Sequence, residues 1–381
     1  MMRVGIDGRL LLQPLRGMGI YVNRVLHEIL SVDHTCEYVL FINTAYKYNI
    51  PAKQYELVLD AVRVFPNLTI VDVHARNEFM WEQFFLPRVA RRYKLDILHF
   101  PANRAPAWRP ARKMIATVHD TIEILPQDGG TLPTRKSLRM RFYYWRVDLY
   151  LKVLFRHIFR RMDLIITDSE HSKLDIERLC NVPSERISVV PLAPKDMFQR
   201  LNYAKGDYLL MYGSEAAHKN CARAIRGYAA LPARVKQKHP LRVVGRPPAL
   251  ERLVAELGET QVVFQDSDFG PSMVKTFNQA LGFVFASLYE GFGIPPVEAM
   301  ASGTAVIASS ASCIPEIVGD AALLVNPYDE GQIRNAMLTI LTDPLRRKTL
   351  EEAGLQRARR YSWKYTANRH LEIYRHLAAK T

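Results

Sequence analysis

The sequence predicts an α/β chain built from two doubly wound parallel-sheet domains, and three observations predict it. Short apolar strands alternate with amphipathic helices along nearly the whole length, the pattern of βαβ units. The alternation begins again after Pro191–Asp207, a polar stretch that contains prolines. The chain has 381 residues, 48% hydrophobic and 24% charged. At roughly 100–200 residues per domain this fills two ordinary cores, and it excludes disordered, collagen-like and low-complexity chains.

In the first half, strands are expected at Arg3–Ile6, Tyr38–Ile42, Leu68–Val73, Ile97–Phe100, Met114–Val118, Leu164–Thr167 and Ile187–Val190. A glycine loop with Gly17 and Gly19 leads into a helix over Ile20–Leu30, where Val22, Val25, Leu26 and Ile29 share one face. Further helices are expected near Phe79–Arg92, Ser137–Arg161 and Ser169–Leu179. In the second half, strands are expected at Tyr208–Tyr212, Leu241–Val244, Val262–Gln265, Gly282–Ala286, Ala305–Ser309 and Ala322–Val325. Cys221–Leu231 and Leu250–Leu257 are helices among them. From Gly331 onward the chain reads as helix, broken at Pro344. The expected domains are therefore 1–192 and 193–360, with a closing helix over 361–381 that packs back on the first. Two such sheets facing across a cleft bind ligands at the carboxyl ends of their strands.

The charge is unusual: 52 basic against 38 acidic residues give +14. A polyanionic partner is implied, such as phosphorylated substrates, an anionic membrane face or a nucleic acid. The cysteines at 36, 180, 221 and 313 form no CxxC pair. They indicate neither a zinc site nor a disulfide framework, and a reducing compartment is expected. The start lacks the apolar core of a signal peptide, and no apolar run reaches the length of a spanning helix. A cytoplasmic protein, attached peripherally to the inner face of the membrane, is the expectation.

The segment Ser287–Gly303 carries the most chemistry. Glu290 lies just past the end of an apolar strand. Gly291 and Gly293 leave backbone amides open to a ligand. Pro295 or Pro296 suits a first helical position, Glu298 falls in the first helical turn, and Gly303 suits a helix stop. A glycine loop feeding a helix amino terminus is an anion site. With a carboxylate at each end it suits a sugar–diphosphate–ribose ligand. On spacing alone, a solvated Glu290 and a Glu298 that complements the helix dipole stand equally open.

The string YEGFGIPPVEAMASGTAVIASSASCIPEIVGDAALLVNP resembles the donor-site signature of the retaining glycosyltransferases of family 4, with Glu290 and Glu298 as its E-x7-E pair. Gly213-Ser214 with His218-Lys219-Asn220 resembles the loop of the family's second domain. Gly17-Met18-Gly19-Ile20-Tyr21 resembles its amino-terminal loop, and His119-Asp120 its His-Asp pair. Trp81-Glu82-Gln83 and His99-Phe100-Pro101 are like a bacterial polysaccharide-synthesis subgroup with a mannosyltransferase flavour. Tyr361-Ser362-Trp363 resembles the closing element.

The resemblance implies a GT-B fold of two Rossmann-like domains. It implies a retaining, metal-independent hexosyltransferase that takes a nucleotide-diphosphate sugar, with no cofactor. Residue by residue, Glu290 matches the glutamate on hydroxyls of the transferred sugar and Glu298 the one on the ribose. The amides of Phe292, Gly293 and Ile294 face sugar and diphosphate. Lys219 meets the diphosphate and stabilises the leaving group, beside Gly213, Ser214 and Asn220. Gly17 and Gly19 complete the donor site. His119 sits near transferred sugar and acceptor, and Asp120 fixes its tautomer or caps the loop. For His119 and Lys219 the alternatives are a hydrogen-bonded strand cap and a solvated surface lysine. Ser214, His218 and Ile20 stand where the family often has arginine. Protonated His218 or Arg246 is the expected substitute at the diphosphate. Retention is expected to proceed by front-face substitution rather than through a covalent intermediate.

Nine basic residues (135, 136, 139, 141, 146, 152, 156, 160, 161) stand against one acid, Asp148, between Arg135 and Arg161, interleaved with aromatics. This is the pattern of a membrane-surface helix; a core helix with a basic outer face is the alternative. The sequence therefore predicts transfer of a hexose, mannose from GDP-mannose first, to a saccharide or lipid-diphosphate-linked saccharide during surface polysaccharide synthesis. UDP-linked glucose, galactose and N-acetylhexosamine remain open as donors. A non-catalytic protein that binds nucleotide sugar or a partner is the second reading. A nucleic-acid-binding protein is the third, but no recognised motif accompanies the charge.

Overall fold

The structure is a computed structural model, and it describes residues 1–12, 17–45, 52–125, 138–266 and 270–379. The chain divides into two compact units. Unit 1 holds residues up to Leu192 together with Trp363 onward, and unit 2 runs from Ala193 to Ser362.

Unit 1 carries seven parallel strands: β1 (Arg3–Asp7), β2 (Glu37–Ile42), β3 (Leu68–Asp72), β4 (Ile97–Phe100), β5 (Lys113–Thr117), β6 (Leu164–Thr167) and β7 (Ile187–Val189), in the order 3-2-1-4-5-6-7. The inner strands are apolar and buried on both faces, as a sheet covered by helices on both sides requires, while the edge strand β3 is partly exposed. The order reverses between β1 and β4, so the carboxyl ends of these two strands flank a crevice. Trp81, Phe155 and Phe159 are fully buried against the sheet. Burying one such side chain stabilises by about 1.5–3 kcal/mol. Trp81-Glu82-Gln83 turns out to be an internal bracket. Glu82 accepts from Arg9, which also pairs with Asp7 at 2.6 Å, and from Tyr150 and Gln83. Gln83 ties the loop after β4 through the Ala105 carbonyl and the Ala107 amide.

The helix Trp363–Ala379 belongs to unit 1 and packs beside Met18–Val32. A buried polar chain fastens it. The His370 Nδ1 lies 2.7 Å from the Thr366 carbonyl, which can only accept, so Nδ1 is the donor. This leaves Nε2 to accept from the Tyr21 hydroxyl at 2.8 Å. Tyr21 then accepts from Thr117 at 2.9 Å, Thr117 from His99 Nε2 at 2.8 Å, and His99 Nδ1 from the Tyr374 hydroxyl at 2.7 Å. One carbonyl thus sets the direction of five bonds. Burial holds both histidines neutral, His370 down to about 4 and His99 well below its ordinary value.

Unit 2 carries six parallel strands: β8 (Leu209–Tyr212), β9 (Leu241–Val244), β10 (Val262–Gln265), β11 (Gly282–Phe285), β12 (Ala305–Ser309) and β13 (Ala322–Val325), in the order 10-9-8-11-12-13. The reversal falls between β8 and β11. The expected strands match to within a residue or so. Helices over Ala52–Arg63 and Ala233–Lys238, not expected from sequence, are polar or short. All four cysteines are buried thiols, none of them in a disulfide. Among the described residues no helix is long and apolar enough to cross a membrane.

Candidate active site

The two strands that flank the reversal in unit 2 deliver the predicted residues. β8 ends at Tyr212 and runs into Gly213 and Ser214; β11 ends at Phe285 and leads to Glu290. Gly213 donates to the Val244 carbonyl at 2.9 Å, and a side chain there would meet Val243 at 2.8 Å. The Lys219 ammonium lies 2.8 and 2.9 Å from the two carboxylate oxygens of Glu290. The Glu290 amide donates to Ser312 Oγ at 3.1 Å, and its carbonyl accepts from Cys313 Sγ at 3.2 Å. Ser312 holds φ +53°, a left-handed conformation that a non-glycine residue adopts at a cost, and such strain gathers at functional sites. A pocket of about 160 Å³ opens beside the pair, lined by Tyr212, Ser214, Lys219, Phe285, Ser287 and Pro295 among others.

The glycine loop ends at Gly293, with φ +90°, and an added Cβ would lie 2.6 Å from Ile314. Only glycine fits there. The helix it caps is Ile294–Ala301. Two expectations are corrected. The first helical residue is Ile294, so Pro295 and Pro296 stand second and third, and Glu298 lies in the second turn. The prolines remove two amide donors from the helix start. The free donors are thereby confined to the end of the glycine loop, at Phe292, Gly293 and Ile294. Phe292 is buried, its ring 5.3 Å from Tyr361 and perpendicular to it.

Glu298 is 5% exposed. Burial pushes its carboxyl up to about 7, against the partial relief of Lys195, whose charge and backbone amide both favour the carboxylate. Tyr212, close enough to feel the Glu298 charge, is itself pushed up by burial.

Four residues expected at the diphosphate are engaged by other partners or held toward the neutral form. Asn220, at φ +55°, spends its side chain inside the unit: Nδ2 donates to the Ala286 and Pro327 carbonyls at 2.9 and 2.7 Å, and Oδ1 accepts from Arg223. It shapes the loop that presents Lys219. His218 is held toward the neutral form by burial and by Lys219. Arg246 is taken up by Asp266 and Glu251, each at 3.2 Å, and by the Phe264 carbonyl. Ser214 Oγ accepts from the Ala216 amide at 3.2 Å.

In unit 1, Gly17 caps the helix Met18–Val32 with φ +46°, and Gly19 is buried within it. His119 follows β5 and is buried. Its Nδ1 is 2.8 Å from Asp168 Oδ2. Of the two roles expected of Asp120, fixing the His119 tautomer or capping the loop, the structure shows the second. Its Oδ1 accepts from the Ile122 amide at 3.0 Å, a loop cap, and burial raises it to about 6. Asp168 follows β6, 49 residues along the chain from His119, where no local motif marks it. Ser312, Lys195 and Tyr212 were also missed. The first lies within the matching string but was given no role.

Among the described residues no three His, Cys, Asp or Glu side chains converge as a metal site would need. Lys219 is the charged side chain among those that line the pocket.

Two doubly wound parallel-sheet units, one with an acidic glycine loop and a lysine at its reversal point, define a protein of the GT-B class. Residues 193–357 match the model of glycosyl transferases group 1, and residues 15–193 match that of Glycosyltransferase Family 4. The chain belongs to the group 1, family 4 glycosyltransferases. It is 29% identical over 235 residues to the serotype-specific mannosyltransferase WbdA of Escherichia coli, a match over 56% of this chain and 29% of that one. It is 30% identical over 230 residues to the O-antigen chain mannosyltransferase B of Escherichia coli, over 56% of this chain and 60% of that one. The match thus spans less than two thirds of either relative's own length. Sucrose-phosphate synthase from Thermosynechococcus elongatus shares the fold, with a TM-score of 0.71 at 20% identity over 100% of both chains.

Proposed function

We propose that the chain transfers a hexose, mannose from GDP-mannose, to a saccharide acceptor in the assembly of a surface polysaccharide. The observation that carries this reading is the Lys219–Glu290 pair set beside the Gly293 loop and Glu298 at the reversal point of unit 2. The names of the mannosyltransferase relatives support the choice of sugar and of pathway class.

In the proposed reaction the bond between the anomeric carbon and the diphosphate oxygen breaks, and the bond to the acceptor oxygen forms on the same face. The acceptor proton passes to the departing diphosphate, and the configuration is retained. Lys219 and the amides of Phe292, Gly293 and Ile294 would stabilise the charge that gathers on the leaving group. Glu298 would accept from ribose hydroxyls and Glu290 from hydroxyls of the sugar. Positive charge supplied by lysine and backbone suits a reaction without a metal.

A peripheral membrane site is part of the proposal. The segment is helical from Leu138 to Arg161, with a wider turn at Leu154–Ile158. Residues 135–137 and the side chains of 138–141 and 143 lie outside the described residues. Leu154, Phe155, Ile158 and Phe159 are buried, which accounts for the inner face. Phe142, Trp145, Leu149 and Val153 are exposed, with Arg146, Arg156 and Arg160 beside them. An apolar stripe among arginines suits the inner surface of an anionic membrane and a lipid-linked acceptor.

Calorimetric titration of GDP and UDP with a chelator present, followed by transfer assays with the matching sugars, tests the reading. Binding of GDP and mannose transfer without metal is the expected result. Binding of UDP alone would redirect the donor, and donor binding without turnover on a broad acceptor panel would favour a binding protein.

A further inference from the structure

His119 and Asp168 are brought together by strand register. β5 and β6 run parallel with Thr117 opposite Ile166. Two residues further on, the same offset sets His119 beside Asp168 at the carboxyl edge of the sheet, with Nδ1 2.8 Å from Oδ2. Both side chains are buried, at 7% and 3% exposure. The backbone of His119 is held on both sides: its amide donates to Asn103 Oδ1 at 2.9 Å, and its carbonyl accepts from Ser172 Oγ at 3.1 Å. The Tyr21 ring meets the imidazole at 4.7 Å and 87°, and the Tyr21 hydroxyl is fixed by Thr117 and His370. One ring nitrogen is thus committed to the protein. The other, Nε2, is buried and makes no hydrogen bond of good geometry among the described residues, although the Pro101 backbone is near enough to the ring to favour its protonated form. A buried polar atom left unpaired costs about 1–3 kcal/mol, a cost that a substrate oxygen would remove.

Resting on the reading of the chain as a sugar transferase, we propose that Asp168 is a positioning residue for that reaction, holding His119 with Nδ1–H turned into the protein and Nε2 offered to a sugar hydroxyl. No bond forms or breaks at Asp168. Its carboxylate selects one tautomer and one ring orientation, the role that a second-layer carboxylate plays for any working histidine. The charged groups around the ring act in the same sense: burial alone disfavours the imidazolium, but Asp168 and then Asp120 outweigh it, and His119 is raised above its ordinary range. The neighbouring His99 and His370 are neutral.

The test uses the full chain with the Asp168→Asn and Asp168→Ala variants. Asn still accepts from Nδ1–H but carries no charge. Both variants should keep the nucleoside diphosphate affinity of the wild type, because Lys219 and Glu298 belong to unit 2. Asp168→Asn should lower kcat by about tenfold or more at unchanged donor KM, with an unchanged melting temperature. It should also move the His119 limb of the pH–rate profile down by about one unit or more. In a His119→Ala background the same change should have no further effect. If the losses also appear in donor hydrolysis without acceptor, the hydroxyl belongs to the donor sugar; if they are confined to transfer, it belongs to the acceptor. A second measurement needs no variant to fold: nitrogen chemical shifts of the wild-type His119 ring should show the Nδ1–H tautomer above its titration. A neutral Nε2–H tautomer would overturn the proposal, as would wild-type kcat and pH profile in Asp168→Asn or a full effect of that change without His119. Nucleoside diphosphate binding with no transfer by the wild type would instead overturn the transferase reading on which it rests.

Discussion

Lys219 places its ammonium within 2.9 Å of both carboxylate oxygens of Glu290, so the charges proposed for the diphosphate and for the sugar neutralise each other. The pair is partly exposed, with Lys219 at 35% and Glu290 at 12%. Its own stability contribution is therefore small, no more than about 1 kcal/mol. Its consequence is one of exchange. In the proposed reaction, a diphosphate that took Lys219 would release Glu290 toward the sugar.

That exchange gives opposite signs to two substitutions. Glu290→Gln frees Lys219, so nucleoside diphosphate should bind up to about fivefold more tightly, while transfer falls because the sugar loses an acceptor. Lys219→Ala removes a charge-assisted contact, and affinity should fall roughly tenfold or more. Calorimetry on the two variants checks both; equal affinities in both would remove the pair from the diphosphate site.

Glu298 links binding to stability through burial. Its carboxyl titrates near 7 in the folded unit against 4.5 for the ordinary group. Between those values the folded state holds more protons, so unit 2 loses stability as pH rises from 4.5 to 7 and stays at that level above. Glu298→Gln should make unit 2 up to about 3 kcal/mol more stable at pH 8, with little change near pH 4.5. The same variant should lose nucleotide affinity and its pH dependence. Hydrogen exchange of the β11 and β12 amides reads the stability, and calorimetry across pH the affinity.

His370 carries the opposite sign. Its folded value lies near 4 and its ordinary value at 6.5. As pH falls through that window the unfolded chain takes the proton first, so stability is full above 6.5 and is lost toward 4. At pH 5 the loss from this group is about 2 kcal/mol. All four tryptophans, at 81, 108, 145 and 363, lie in unit 1, so urea titrations followed by tryptophan fluorescence report this unit alone. The wild type should weaken from pH 7.5 to pH 5, and His370→Gln should weaken by about 2 kcal/mol less.

The exposed stripe gives a fourth test. Phe142 and Trp145 are 59% and 57% exposed and stack on each other at 5.7 Å. Replacing both with serine should weaken sedimentation with anionic vesicles severalfold, leave the melting temperature within a few degrees and spare transfer to a soluble acceptor. Unchanged vesicle binding would remove this helix from the membrane.

Much of this protein was legible in its sequence. Strand period, helix period and the proline-containing join located nearly every strand of both sheets, because a doubly covered parallel strand must be apolar throughout and few other elements are. The acidic glycine loop was legible because Gly293 has no substitute at φ +90° beside Ile314, and Glu290 and Glu298 travel with it at fixed spacing. The roles that could not be read were those resting on neighbours along the chain. Asp120 adjoins His119 in sequence, yet Asp168 meets its ring, because parallel strands bring together residues separated by a whole crossover. Asn220 adjoins Lys219, yet its amide is spent on Ala286 and Pro327. Arg246 was a candidate substitute at the diphosphate, and Asp266 and Glu251 meet it. Local patterns thus determined the elements, the loop and the family. Only the tertiary structure decided which charges are paired, which nitrogen of His119 is left open and how far Glu298 is buried. Those properties depend on partners and on solvent exclusion, which arise from packing between segments distant in the chain.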